Sequence, residues 1–258
     1  MATQTLFIYS LTLQFGLILF SLLNFLIEFY STARYKVRHF IYYLWNRNYE
    51  PSCLNEAKKD LLNLPQHLSL IIEAEKECIS VDSIAKLIRW TQLLGIAYIS
   101  IYDYSGLITL KKEEVVQKLS GKENNNKKLK CEKDALTTCV EHVSTIKSCF
   151  HYGSSKVALL DATDGRPAIV SAIKFVINDT NGTPITYKKI IDCLKAKFGF
   201  PEPDAIFKFG SSVSALGFPP LFLRISEMFS LKSYTNVTVF QFIDVLKSYE
   251  KRDRRCGK

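Results

Sequence analysis

The chain has 258 residues, 47% of them hydrophobic and 23% charged, which is room for one domain of about 200 residues plus an appendage, or for two small domains. That apolar content excludes wholesale disorder, and the net charge of +9 admits acidic partners of three kinds: nucleic acid, anionic lipid or a diphosphate. The seven cysteines (Cys53, Cys78, Cys131, Cys139, Cys149, Cys193 and Cys256) are scattered and odd in number, with no CxxC pair and no zinc-ligand spacing, and they read as thiols in a reducing compartment.

Residues 1–27 carry no charged side chain, and Leu6–Ile27 is long enough to cross about 30 Å of hydrocarbon as a helix. A cleaved signal peptide fits poorly, because there is no basic leading region, the apolar stretch is too long and no small-x-small site follows. Residues 1–30 are therefore predicted to be an N-terminal transmembrane anchor. Residues 31–63 form a basic, aromatic juxtamembrane segment, in which Arg34, Lys36, Arg38 and Arg47 alternate with Tyr30, Tyr35, Tyr42, Tyr43 and Trp45. By the positive-inside rule this side stays cytosolic, with the basic residues against anionic lipid. Beside a membrane span, nucleic acid is set aside as a partner. Whether residues 34–59 form a membrane-surface helix is left open. Three N-x-T sequons, at Asn178, Asn181 and Asn236, stay silent in this topology.

The dense apolar run Leu68–Ile72, closed by Glu73, Glu75 and Glu77, predicts a buried first strand. Val81–Leu94 follows as an amphipathic helix ended by Gly95, and Ile96–Tyr102 as a second buried strand, making a strand–helix–strand unit and implying a parallel sheet. Residues 111–134, rich in Lys, Asn and Glu, read as a helix fading into a flexible surface loop. Val157–Asp161 is a third strand. Asp164 is expected to N-cap a helix that carries Pro167 in its first turn and runs to Asn178. Thr186 caps another helix, stopped by Gly199 and Pro201, and Ala205–Phe209 is a fourth strand. Leu221–Leu231 reads as either strand or helix, and Thr238–Lys251 as a final amphipathic helix. The fold class is α/β: a mostly parallel central sheet flanked by helices over residues 64–251, with a basic tail at 252–258.

No P-loop, GxGxxG, nucleophile elbow or HExxH is present, and the four histidines have no carboxylate at ligand spacing. Read from the residues alone, the chain shows no catalytic machinery.

Several stretches nevertheless form an ordered set: LPQHLSLIIEAEKE, DSIAKLIRWTQLLGIAYISIYDYSG, ATDGRPAIVSA, FPEPDAIFKFG, SALGFPPLFLRISEMFSL and the terminal Arg255-Cys256-Gly257-Lys258. Together with the apolar N-terminus, this set resembles the Nogo-B receptor family, the accessory, non-catalytic subunits of dehydrodolichyl diphosphate synthase, on a cis-prenyltransferase fold. Active cis-prenyltransferases carry Asp-Gly-Asn-Arg after the first strand, where the aspartate binds Mg²⁺ and the arginine holds the diphosphate. The corresponding positions here are Ile72-Glu73-Ala74-Glu75-Lys76; Glu73 has ligand chemistry, but no Gly-Asn-Arg follows. Near Lys208-Phe209-Gly210 the active enzymes' Arg-Thr-Ser-Gly-Glu is likewise missing, and Arg224-Ile225-Ser226, set among accessory-type neighbours, is assigned no catalysis. The resemblance gives the tail a role: Arg255 and Gly257 would bind isopentenyl diphosphate in trans, in the partner's active site. Arginine pairs with phosphate bidentately, and glycine lets a backbone N–H approach the same anion. It also implies Mg²⁺ bound by a catalytic cis-prenyltransferase partner, a heteromer making long-chain polyprenyl diphosphate for dolichol and protein glycosylation, and an endoplasmic-reticulum location with the domain cytosolic. The rivals are a membrane receptor or scaffold without prenyl chemistry and a self-sufficient homomeric prenyltransferase using Glu73.

Overall fold

The computed structural model describes residues 2–45, 49–73, 79–121, 148–179 and 185–252. The chain divides into two compact units, Met1–Tyr49 and Glu50–Lys258.

The first unit is one helix, α1 (Ala2–Trp45), of 44 residues. At 1.5 Å per residue it is about 66 Å long, more than a bilayer needs. It contains an apolar stretch long enough to cross a membrane, and its apolar side chains from Leu13 to Phe29 face outward. The basic turn Arg34–Arg38 continues this helix without a break, so residues 34–45 are not a separate surface helix.

In the second unit, helix α2 (Tyr49–Asp60) is tied to α3 (Val81–Leu94) by the Trp90 indole, which donates to Glu50 at 3.1 Å. Strand β1 (His67–Ile72) is buried along its whole length, as the dense apolar run predicts. Helix α3 keeps its predicted bounds. Ser80 accepts from the Ser83 N–H at its start, and Gly95, at φ +86°, closes it in the left-handed conformation that glycine supplies without strain. Then come β2 (Tyr98–Asp103), α4 (Leu107–Leu110), α5 (Lys112–Ser120), β3 (Cys149–Tyr152), β4 (Ser155–Leu160), α6 (Arg166–Asp179), α7 (Tyr187–Phe198), β5 (Ala205–Phe209), β6 (Glu227–Leu231) and α8 (Val239–Glu250). Thr186 and Thr238 cap α7 and α8 through their hydroxyls, the latter with Gln241 in a reciprocal capping box.

Among the described residues the strands form one six-stranded sheet in the order β3-β4-β2-β1-β5-β6, all parallel except β3, which runs antiparallel to β4 at one edge. On one face, Phe198, Phe200, Phe218 and Phe222 stack with Tyr102, Leu160 and Ile206 beneath α6 and α7, ring to ring at 4.7–6.0 Å. That face is filled with side chains.

Four sequence expectations shift, one of them the strand expected at Val157–Asp161, which is β4 (Ser155–Leu160) and starts two residues earlier. The second strand runs Tyr98–Asp103, two residues later at its start. Asp164 does not N-cap α6: it is the last residue of a 3₁₀ turn, Ala162–Asp164, whose cap is Asp161, and its carboxylate accepts from the Asp161 N–H at 3.2 Å. The intervening Gly165 lets α6 begin only at Arg166. Leu221–Leu231 proves to be both kinds of element, a 3₁₀ turn at Pro220–Leu223 and then strand β6.

Candidate functional site at the carboxyl ends of the strands

Parallel pairing brings the ends of the strands to one rim of the sheet. Ile72 is level with Asp103 and Phe209, Tyr102 with Leu160, and Phe209 with Leu231. Glu73, Asp103, Asp161 and Gly210 therefore lie along the rim where open α/β folds place their ligands.

At its centre, the Glu73 N–H extends the ladder by donating to Phe209 O at 2.9 Å. Its carboxylate turns across the sheet, accepts the Ser212 N–H at 2.9 Å and lies 3.9 Å from Lys208 Nζ. Lys208 is 1% exposed near the carboxyl end of β5, and its ammonium also donates to the Ser212 carbonyl. A buried cation of this kind requires a paired anion, and Glu73 is that anion. Gly210, at φ +130°, makes the geometry possible: a Cβ there would sit 2.0 Å from Glu73 Oε2. Among the described residues, the carboxylate that follows the first strand is thus engaged by the chain's own ammonium and amide. Among the described residues no group of three or more acids, histidines or cysteines converges as metal ligands do. This donor set does not fit a Mg²⁺ site.

The loop after β5 covers the rest of the rim. The Tyr102 hydroxyl donates to Leu216 O at 2.7 Å, fixing Leu216 at φ +53°, a conformation rare outside glycine. Burial, and then the surrounding Tyr104 and acidic groups, push the Tyr102 phenol up to about 12, so it stays a neutral donor. On the neighbouring turn, a Cβ on Gly165 would sit 2.3 Å from Gly217 O, so the two loops touch backbone to backbone.

The flanking acids hold loops. Asp103 accepts from the N–H groups of Leu107 (2.9 Å) and Ser105 (3.1 Å) and from the Ser105 hydroxyl, and so starts α4. Asp164 pairs with Lys197 at 3.2 Å; burial raises its carboxyl above the ordinary value, opposed by the Asp161 N–H and Lys197.

Of the residues singled out from sequence, Arg255 and Gly257, with Cys256 between them, lie outside the described residues, as do Glu75 and Lys76. Arg224-Ile225-Ser226 sits at the opposite end of the sheet. Arg224 pairs with Glu202 at 3.3 Å, and the Ser226 hydroxyl donates to Pro203 O before β6 begins. Sequence reasoning missed Lys208 and Gly210 as partners of Glu73. The available signal was a lysine inside the apolar strand AIFKF, which demands a buried counter-charge.

The chain resembles several curated proteins. It is 28% identical over 206 residues to the dehydrodolichyl diphosphate synthase complex subunit Nus1 of Mus musculus, spanning 78% of this chain and 68% of that protein. It is 28% identical over 207 residues to the Homo sapiens subunit of the same name, spanning 78% and 69%. The Saccharomyces cerevisiae subunit is 24% identical over 261 residues, spanning 89% and 68%. No protein-family model matches. Among solved structures, a probable undecaprenyl diphosphate synthase from Campylobacter jejuni superposes with a TM-score of 0.53 at 16% identity, covering 76% of this chain and all of that one. Lavandulyl diphosphate synthase from Lavandula x intermedia gives 0.51 at 16%, covering 74% and 97%. At that identity the likeness shows the fold alone, and the fold is that of the cis-prenyltransferases. By sequence over most of its length, the chain is similar to the Nus1 subunits of dehydrodolichyl diphosphate synthase complexes.

Proposed function

We propose that this chain is the accessory subunit of a dehydrodolichyl diphosphate synthase: it binds, stabilises and activates a catalytic cis-prenyltransferase at the endoplasmic-reticulum membrane. The heteromer makes long-chain polyprenyl diphosphate for dolichol and protein glycosylation. The observation that carries this reading is the rim itself, where the Glu73 carboxylate and Lys208 neutralise each other in place of a ligand. The partner supplies the Mg²⁺ site and the elongation channel; the metal's chemistry there is to stabilise the departing diphosphate. This chain supplies its membrane anchor, its docking surface, and Arg255 and Gly257 toward isopentenyl diphosphate in trans. The domain is cytosolic, as the basic turn after the apolar stretch of α1 supports.

The test is a pulldown with the catalytic subunit followed by radiolabelled isopentenyl incorporation. The intact chain, Arg255→Ala and a chain lacking residues 256–258 are compared. Loss of a charge-assisted phosphate contact is expected to cut activity about tenfold or more. Unchanged activity in the tail variants would favour a scaffold without prenyl chemistry. Elongation by the purified chain alone would establish a homomeric enzyme.

A further inference from the structure

Arg252 is the last described residue of the chain and is unusually well held for a terminal position. Its guanidinium donates to Glu227 Oε2 at 2.7 Å, and its Cζ lies 4.9 Å from the centroid of the Phe229 ring. Glu227 and Phe229 are two apart on β6, so both side chains stand on the same face of the strand that ends the sheet. Phe229 is itself anchored, edge to face against Phe207 at 6.0 Å and Tyr249 at 6.5 Å. The Arg252 N–H donates to Tyr249 O at 3.1 Å, completing the end of α8. Beyond this point the sequence reads Asp253-Arg254-Arg255-Cys256-Gly257-Lys258, three cations against one acid.

The position is as telling as the contacts. Glu227 pairs with Ala205, which pairs with Leu68, so all three lie at the amino ends of their strands. The tail therefore starts at the end of the sheet opposite the rim that Glu73 closes. Six residues reach at most about 20 Å, and β6 alone takes up much of that length.

We propose that Arg252 is a positioning residue: held between the Glu227 carboxylate and the Phe229 ring, it fixes where the cationic tail leaves the domain, and so sets how tightly the heteromer takes up isopentenyl diphosphate. This rests on the reading that Arg255 and Gly257 meet that anion in trans. A tail released from a fixed root samples fewer conformations than one hung from a frayed helix, and the ordering entropy lost on binding falls accordingly. Arginine suits the task because its planar group pairs with a carboxylate and lies over a ring at the same time; lysine offers only a point charge.

The test uses the full-length chain co-purified with the catalytic subunit. Heteromer yield, kcat and KM for isopentenyl diphosphate are measured for the wild type, a chain lacking residues 253–258, Arg252→Ala, Arg252→Lys, Glu227→Gln and the exchanged pair Arg252→Glu/Glu227→Arg. The expected result is a KM raised about three- to tenfold in Arg252→Ala and Glu227→Gln, with kcat within about twofold and heteromer yield unchanged. Arg252→Lys recovers part of the effect, and the exchanged pair gives a lower KM than the single reversals Arg252→Glu and Glu227→Arg, prepared alongside it. If removal of residues 253–258 raises KM while Arg252→Ala and Glu227→Gln do not, the positioning role is overturned and the tail reading stands. If removal leaves KM unchanged, both fall. A loss of heteromer yield or of kcat in Glu227→Gln with KM unaltered assigns the pair to assembly or folding and refutes the proposal.

Discussion

His67 makes the stability of this domain sensitive to acid. The ring is 1% exposed at the start of β1, with Nδ1 2.7 Å from Pro201 O and Nε2 2.9 Å from Ser100 Oγ, which in turn lies 2.8 Å from Ser69 Oγ. Facing a carbonyl, Nδ1 must donate, so the neutral ring accepts at Nε2. Burial lowers its pKa from 6.5 to about 4, against smaller opposing effects from the Pro201 carbonyl and Asp204. A depressed histidine favours the folded state wherever the unfolded ring is neutral, so its contribution is fully present above pH 6.5. It is lost as pH falls from 6.5 toward 4, because the unfolded chain gains a proton that the folded chain refuses. At about 1.36 kcal/mol per pH unit the full loss is about 3 kcal/mol, of which about 2 kcal/mol has gone by pH 5. Urea unfolding of the detergent-solubilised full-length chain, followed by tryptophan fluorescence at pH 7.5 and pH 5.0, measures it. His67→Asn retains an amide donor for Pro201 but does not titrate. It is expected to be less stable than wild type at pH 7.5 and to lose about 2 kcal/mol less on going to pH 5.0. Asp164, whose raised carboxyl has the opposite sign, is common to both proteins and cancels in the difference. Parallel pH dependences in the two proteins would refute the assignment.

The rim gives a coupled set. Glu73→Ala strips the buried Lys208 of its anion and leaves the Ser212 N–H without its acceptor; it is expected to cost about 1–3 kcal/mol, largely restored by adding Lys208→Met, with chemical denaturation as the readout. Gly210→Ala places a Cβ against Glu73 and is expected to cost about 2–4 kcal/mol, with a smaller increment in the Glu73→Ala background; additive costs would mean that the two residues do not meet. Gly165→Ala drives a Cβ into Gly217 O, and hydrogen exchange is expected to quicken at Leu216 and Phe218 while β1 stays protected. Endoglycosidase treatment of the chain from a eukaryotic host is expected to leave its mobility unchanged, since Asn178 and Asn236, both exposed, lie on the cytosolic side of the proposed topology; a shift abolished by Asn236→Gln would reverse that topology.

Most of the scaffold was legible because its signals are local. α3 and α7 ended where Gly95 and Gly199 permit a left-handed cap, α7 and α8 began at threonines whose hydroxyls cap them, and β1 announced itself as a dense apolar run. What escaped was either short or distant. β3 is four residues long with alternating burial, too brief for periodicity to register. Asp164 has the composition of a helix cap but is claimed first by the turn that Asp161 starts. The contact between Glu73 and Ser212 spans 139 residues, and no window of sequence holds both. The candidate site was legible mainly as departure from a resemblance: the missing clamp after Ile72 was visible, but what fills its place was not.

The internal pairing of Glu73 with Lys208 also bears on the life history of the chain. An anion-binding rim that depends on its substrate gains stability in proportion to substrate concentration, because a ligand that binds only the native state draws the folding equilibrium toward it. A rim that carries its own counter-ion is exempt from that linkage. Newly made chains are therefore expected to reach full stability with no diphosphate present, and pyrophosphate is expected to leave their melting temperature unchanged in a thermal-shift assay. On the proposed reading, the yield of folded chain is expected not to vary with diphosphate supply.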